Sequence, residues 1–403
     1  MITSIHIHNN NKKFKRLLKS ILKNKNLQIN NKLIVVDGSS HKNKCENNKK
    51  VCNEFSQKQN ILYINQDKWD KIRYFLANKT TLDVRFIRLL YSINLNKNEW
   101  NTPEARNVSS VVTLLVSSIN DTVLKLDDDM IVTQDLKIPE NISKLIGIKI
   151  TGCPDFSRLE WIQLYLKSLL KLKAKQKNKN EYEYIDKFAQ EWKAEEMFSL
   201  INQYTNLITP PIWKRNKNIH PLIFPQRDEL SGGAYLTIVH YLTRAMFPHW
   251  YEEDWFWFKS IRKNLDISFV SSGILHKANK KTILNMSALK KEELGKILTL
   301  PLRYTNKLTV EIINEYTHYR IGIMEKYIYL FNQTNFNKDL SGSTFYQVKA
   351  VVNYLGKLRD FLVSIDPKQI IYQYHNFKKS ETVWINESRK LIGLLTWENI
   401  NSL

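Results

Sequence analysis

Cysteine is scarce in this chain and never closely paired: Cys45, Cys52 and Cys153 are the only three in 403 residues, with no Cys-x-x-Cys. That excludes a disulfide framework or a cysteine-rich zinc site and fits a reducing cytoplasm. Long apolar runs are missing too. No stretch is long enough to cross a bilayer, and the N-terminus opens on the strand-like Ile2-Thr-Ser-Ile-His-Ile-His rather than on a basic residue followed by an apolar segment. Membrane spanning and secretion are therefore not expected. Acid is in short supply, 39 residues against 61 basic ones, for a formal charge of +22. Such a field attracts nucleotides, nucleic acid or an anionic membrane surface without choosing among them. Lys and Asn are over-used throughout, so most individual lysines are expected on solvated faces. What the chain does have is folding material, 43% hydrophobic and 11% aromatic, at a length that suggests two or three domains.

Periodicity alternates between strand and helix. Ile2 to His8 reads as a strand, and Phe14, Leu17, Leu18, Ile21 and Leu22 recur at helical spacing. Leu33-Ile-Val-Val is a buried parallel strand that runs into Asp37-Gly38-Ser39-Ser40, and Ile61-Leu-Tyr-Ile repeats the theme. Pro103 opens a helix, after which Thr122-Val-Leu-Lys-Leu runs into Asp127-Asp128-Asp129. Strands alternating with helices imply a parallel α/β sheet, in which ligands bind beyond the carboxyl ends of the strands. Two strands thus deliver carboxylates to one edge.

Adjacent carboxylates repel unless a cation sits among them. Alternation along a strand would turn Asp127 and Asp129 to one side and Asp128 to the other, and oxygen ligands with open positions suit Mg²⁺ or Mn²⁺. A bare acidic triplet is most simply a solvated turn; the apolar strand before it and Ile131-Val132 after it favour a site.

Leu126-Asp-Asp-Asp-Met-Ile-Val resembles the D-x-D signature of GT-A glycosyltransferases. Ile34-Val-Val-Asp-Gly-Ser-Ser resembles the second-strand motif of the inverting family-2 members, and Ala105-Arg106-Asn107 resembles their A-R-N element, in matching order. The resemblance implies a GT-A fold, a nucleotide-diphospho-sugar donor and a divalent metal, Mn²⁺ or Mg²⁺. It places His8, Asn9, Asp37, Ser39, Arg106, Asn107, Asp127 and Asp128 around the donor, with Asp37 at the nucleobase and Arg106 near the diphosphate. Asp129 would bind the metal, with Asp127 and His276 as further ligands. Gly232-Gly233 resembles the small-residue loop of the acceptor side. In Glu252-Glu253-Asp254-Trp255, Asp254 would be the general base and Glu253 the reserve.

Each assignment has a structural rival. Acids at a helix N-terminus also answer its dipole, a lone His such as His276 is more often a structural residue than a ligand, and Trp250, Trp255 and Trp257 can stack on sugars or fill a core. The first strand ends in His6-Ile-His-Asn-Asn rather than in the family's Pro-Thr-Tyr-Asn. A Q-x-x-R-W element is not found.

Four regions are expected: a nucleotide-sugar-binding α/β half over 1–157, a helical insertion or lid over 158–226, an acceptor-binding half over 227–279 and a mostly helical region over 280–403. Transfer onto a glycan, lipid-linked or other glycoconjugate acceptor at the cytoplasmic face, with peripheral contact to an anionic membrane, follows from the class. A sugar-nucleotide pyrophosphorylase would carry a glycine-rich loop after the first strand, where this chain has Asn9-Asn10-Asn11. A basic nucleic-acid-binding protein is favoured by charge alone, lacks a motif, and is not expected.

Overall fold

The computed structural model describes residues 1–28, 32–95, 102–139, 142, 145–152, 233–250, 253–262, 267–276, 286–304, 307–333 and 342–403. The expected insertion over 158–226 lies outside the described residues. Contacts divide the chain into two compact units: Met1–Asp155 with Asp228–Lys280 and Tyr374–Leu403, and Phe156–Arg227 with Lys281–Gln373.

The first unit is built on an eight-stranded sheet. Its strands are β1 (Ile2–Ile7), β2 (Lys32–Asp37), β3 (Asn60–Ile64), β4 (Thr122–Asp127), β5 (Met130–Val132), β6 (Leu145–Gly152), β7 (Ala234–Ile238) and β8 (Ile267–His276), in the spatial order β3-β2-β1-β4-β7-β6-β8-β5. The β3-β2-β1-β4 half is wholly parallel, as the strand-helix alternation dictates. The other half is mixed. Strand β7 runs antiparallel to both β4 and β6, β8 is parallel to β6, and β5 closes the edge antiparallel to β8.

Helices cover both faces. On one lie α1 (Asn11–Lys23) and α3 (Lys42–Ser56), whose Phe14, Leu17, Leu18, Ile21, Val51 and Phe55 pack on Ile5, Ile7, Leu33 and Val35. The short α2 (Lys25–Gln28) follows α1. On the other face lie α4 (Gln66–Lys79), α5 (Val84–Ser92), α6 (Thr102–Leu115), α7 (Val239–Leu242) and α8 (Glu253–Arg262). Pro103 stands in the first turn of α6, where its missing N–H costs nothing.

The sequence reading grouped everything after residue 280 together; the last thirty or so residues instead complete the sheet unit. Aromatic anchors are the reason. Trp384, near the end of α12 (Pro367–Glu387), is fully buried against Phe86 and donates its indole N–H to Leu242 O at 3.0 Å. Gly393 and Leu395 donate backbone N–H groups to Leu114 and Leu115, both at 3.0 Å, before α13 (Trp397–Ser402) ends the chain.

The second unit, in its described residues, is helical: α9 (Met286–Tyr304), α10 (Val310–Gln333), α11 (Gly342–Val363) and the start of α12. Leu289, Ile297, Ile313, Met324, Leu355, Leu358 and Leu362 are buried there, and a bidentate ion pair joins Arg320 to Glu293 at 2.7 Å through each oxygen. No helix among the described residues is long and apolar enough to cross a membrane.

Candidate active site

The carboxyl ends of β1, β2 and β4 meet at one rim. Side chains alternate along a strand, so Ser4 and His6 of β1 share a face with Lys125 and Asp127 of β4, the face covered by α6. His6 Nε2 lies 2.9 Å from Asp127 Oδ1, and Arg106 Nη2 lies 3.5 Å from Asp127 Oδ2. The expected alternation of the triplet stops at Asp127, because Asp128 and Asp129 form the turn into β5. Asp127 and Asp129 consequently have different partners.

Asp129 faces the α1 side and the sheet edge. Its Oδ2 lies 3.3 Å from Lys13 Nζ and 3.2 Å from His276 Nε2. Register explains the second contact: His276 ends β8 directly opposite Met130 of β5. Burial opposes ionisation of Asp129, but His276 and Lys13 outweigh it and hold its carboxyl below the usual range. Asp128 accepts a hydrogen bond from the His8 backbone N–H at 3.1 Å; burial, with Asp129 beside it, pushes its carboxyl up to about 7.

Gly273 makes the His276 placement possible. The β6–β8 register shifts between Ile148 and Ile150, whose partners are Val270 and Ile274, and Gly273 sits in that bulge at φ +127°. A Cβ there would lie 2.5 Å from Leu136 Cα. Only glycine fits both the conformation and the space.

Loops after β1 and β2 are stitched together beside the carboxylates. His8 Nδ1 meets Gly38 O at 2.8 Å, and the Asn9 backbone N–H donates to Ser39 Oγ at 2.8 Å, with Asn9 at φ +55°. Asp37 is buried, and both its oxygens are used internally: the Ser39 N–H donates to one at 2.8 Å, while Asn48 Nδ2 at 3.0 Å and Tyr63 Oη at 2.5 Å donate to the other. Asp37 therefore orders the loop.

On the α6 face, Arg106 is buried and bridges to Glu253 in the first turn of α8, Nη1 to Oε1 at 2.8 Å. Burial disfavours the guanidinium charge, yet Glu253 and Asp127 raise its pKa further. Burial pushes the Glu253 carboxyl up to about 8 against the pull of Arg106. Asp254 is half-buried, and its Oδ1 accepts the Trp255 N–H at 2.8 Å. Asn107, expected at the donor, is wholly buried and bonds the Phe247 backbone twice, at 2.8 and 2.9 Å.

Gly233 is buried, and its O accepts the Asp127 N–H at 2.9 Å; Gly232 lies outside the described residues. Trp250 packs edge-on against Phe256 and Phe377, with an indole N–H that has no hydrogen-bond partner among the described residues. Trp255, half-buried, carries Lys259 Nζ 5.0 Å over its ring. Trp257 belongs to the core, stacked on Phe247 at 5.3 Å.

His6 and Lys13 carry no role in the sequence reading, yet both touch the triplet. The signal for His6 was its place at the end of a strand whose face it shares with Ser4. Lys13 gave none in a lysine-rich chain.

Asp129 and His276 are spaced as two ligands of one divalent cation would be. Octahedral ligation at about 2.0–2.1 Å puts neighbouring ligand atoms about 3 Å apart, close to the 3.2 Å between Asp129 Oδ2 and His276 Nε2. Asp127 Oδ1 is buried, and although His6 Nε2 lies 2.9 Å away, it makes no aligned hydrogen bond among the described residues. Among the described residues no three carboxylate, imidazole or thiol groups are grouped to hold a metal by themselves. A two-residue site leaves positions open for phosphate oxygens and water.

No protein-family model matches the chain, and no curated protein matches it. Solved structures similar to it include a mannosyltransferase from Pyrobaculum calidifontis in complex with GDP-Man and Mn²⁺, at 8% identity and TM-score 0.41, covering 90% of this chain and 84% of that one. S. aureus TarS 1–349 in complex with UDP-GlcNAc is similar at 12% identity and TM-score 0.38, with 90% of each chain covered. The galactosyltransferase LgtC with donor and acceptor sugar analogs is similar at 11% identity and TM-score 0.29, covering 70% of this chain and 88% of that one.

Proposed function

We propose that the chain is a metal-dependent, inverting glycosyltransferase that moves a sugar from a nucleoside diphosphate to a hydroxyl of a glycan or glycoconjugate acceptor. The observation that carries this reading is the 3.2 Å approach of Asp129 and His276, far apart in sequence, beside the loops held by His8, Asn9 and Asp37. Asp129 and His276 would hold Mn²⁺ or Mg²⁺, which when bound neutralises the departing diphosphate.

The remaining work falls to the chain's own groups. Asp37 shapes the Gly38–Ser40 loop, so the nucleobase meets that loop and the His8–Asn9 turn. Arg106 holds Glu253 and orients α8, leaving Asp254 as the carboxylate that accepts the proton of the attacking acceptor hydroxyl. The acceptor oxygen bonds to the anomeric carbon as the bond to the diphosphate oxygen breaks, which inverts that carbon. Trp250 and Trp255 flank the acceptor approach. A setting at the cytoplasmic face, in surface-polysaccharide or glycoconjugate assembly with peripheral contact to anionic lipid, accords with the charge of +22.

The test is nucleoside diphosphate release from a panel of UDP-, GDP- and dTDP-sugars with and without Mn²⁺. One donor turned over only with metal is expected; no release from any donor, with no donor binding, contradicts the proposal.

A further inference from the structure

Lys13 is unused by the reaction just described, yet its ammonium stands where a cation matters most. Its Nζ lies 3.3 Å from Asp129 Oδ2, the same oxygen that His276 Nε2 approaches to 3.2 Å. The Lys13 side chain is 16% exposed and that of Asp129 23%, so the pair is partly shielded from water and weakly screened. The backbone fixes it as well: Asn10 caps α1 by accepting the Lys13 N–H at 3.1 Å. Two residues before that cap, the same loop gives the His8 N–H to Asp128 at 3.1 Å. One short segment thus supplies a donor to Asp128 and a charge to Asp129.

Lys13 is badly placed for stability alone. It lies in the first turn of α1, where the helix dipole disfavours a cation, and that turn has no acidic residue. The same position suits a basic group that must reach a phosphate, because the free N–H groups of a helix start favour anions.

Resting on the glycosyltransferase reading, we propose that Lys13 is a tethered counter-ion: it occupies Asp129 before the donor arrives and moves onto a diphosphate oxygen when Asp129 takes up the divalent cation. A flexible ammonium can make that exchange with no backbone change, since its charge sits on a four-carbon stem. The consequence is thermodynamic coupling. Divalent metal alone competes with Lys13 and binds poorly; metal with nucleoside diphosphate gives Lys13 a new partner and binds well. By linkage the diphosphate improves metal binding by the factor that the metal improves diphosphate binding.

The experiment counts free Mn²⁺ by its paramagnetic resonance signal, in titrations with and without UDP or GDP. Lys13→Gln is compared with wild type and with Lys19→Gln, which removes an exposed charge from the same helix. Lys13→Gln should bind Mn²⁺ alone on the order of tenfold more tightly and lose most of the nucleotide enhancement. Lys19→Gln should match wild type. If Lys13→Gln and Lys19→Gln are indistinguishable, or if Lys13→Gln weakens Mn²⁺ alone, the proposal is overturned. Asp129→Ala separates the two levels: Mn²⁺ binding that survives it sinks the metal-dependent reading itself, whereas binding abolished by Asp129→Ala but unmoved by Lys13→Gln sinks only the role of Lys13. Lys13→Arg, which keeps the charge, should behave like wild type and guards against a folding defect.

Discussion

Arg106 Nη1 lies 2.8 Å from Glu253 Oε1 although 147 residues separate them, and both side chains are buried. Through this pair the helix that precedes the acidic triplet holds the helix that carries Glu253 and Asp254. The two adjacent acids are thereby given different work: Glu253 is consumed in a buried ion pair, while Asp254 is half-exposed at the start of α8.

Substitutions should separate those roles. Asp254→Asn is expected to lower kcat by about 10²–10⁴-fold, the usual contribution of a general base, with nucleotide binding intact. Glu253→Gln takes the nearer carboxylate from buried Arg106 and leaves it Asp127 at 3.5 Å, and should cost about 1.5–3 kcal/mol of stability in thermal or denaturant unfolding. Loss of turnover in Glu253→Gln at unchanged stability would instead make Glu253 the base.

Gly273→Ala tests the bulge that delivers His276. The new methyl would sit 2.5 Å from Leu136 Cα at a φ of +127°, so a loss of about 2–3 kcal/mol is expected in urea unfolding. Metal affinity should fall too if β8, rather than the segment carrying Leu136, gives way. A neutral result would remove the bulge from the account.

The parallel half of the sheet was legible because its signals are local. Leu33 to Val36 form an unbroken apolar run, Phe14 to Ile21 recur at helical spacing, and Pro103 marks a helix start; each became the expected element. Strand β7 was not read. Ala234 to Leu236 are buried without alternation, and their antiparallel pairing with β4 bridges more than a hundred residues of sequence. At the site, the residue types of the triplet, Asp254 and His276 were visible, but their partners were not. The adjacency of His276 and Asp129 depends on the β5–β8 register, and the internal engagement of Asp37 depends on Tyr63 and Asn48 from two further elements.

Lys125 sets a pH dependence. It is buried on β4 with the hydroxyls of Ser4 and Ser109 as partners, and burial, with Arg106 nearby, lowers its pKa to about 7. The unfolded chain then binds one more proton than the folded protein between about pH 7 and the ordinary lysine value, so stability rises with pH across that window. Measured as the difference between wild type and Lys125→Met, so that the opposing titration of Glu253 cancels, this contribution should reach a slope of up to about 1.4 kcal/mol per pH unit in metal-free protein. Lys125→Met, of similar length, should be more stable at pH 7 and lack the slope. An identical slope in the variant would place the titrating group elsewhere.

In the helical unit, Arg320→Leu leaves Glu293 as a buried, unpaired carboxylate and should cost about 3–5 kcal/mol. Adding Glu293→Leu should restore most of that loss. Equal destabilisation of the single and double variants would show that packing volume, not the stranded charge, decides.

The central claim is a cation held at Asp129 and His276 that grips a diphosphate, and thermal unfolding of wild type and Asp129→Ala with the turned-over donor, Mn²⁺, or both tests it most directly. In wild type, stabilisation should require both ligands and reach about 2.7 kcal/mol at a hundredfold excess over Kd; in Asp129→Ala the metal-dependent part should vanish. Donor stabilisation of equal size without Mn²⁺, or unchanged in Asp129→Ala, would contradict the account.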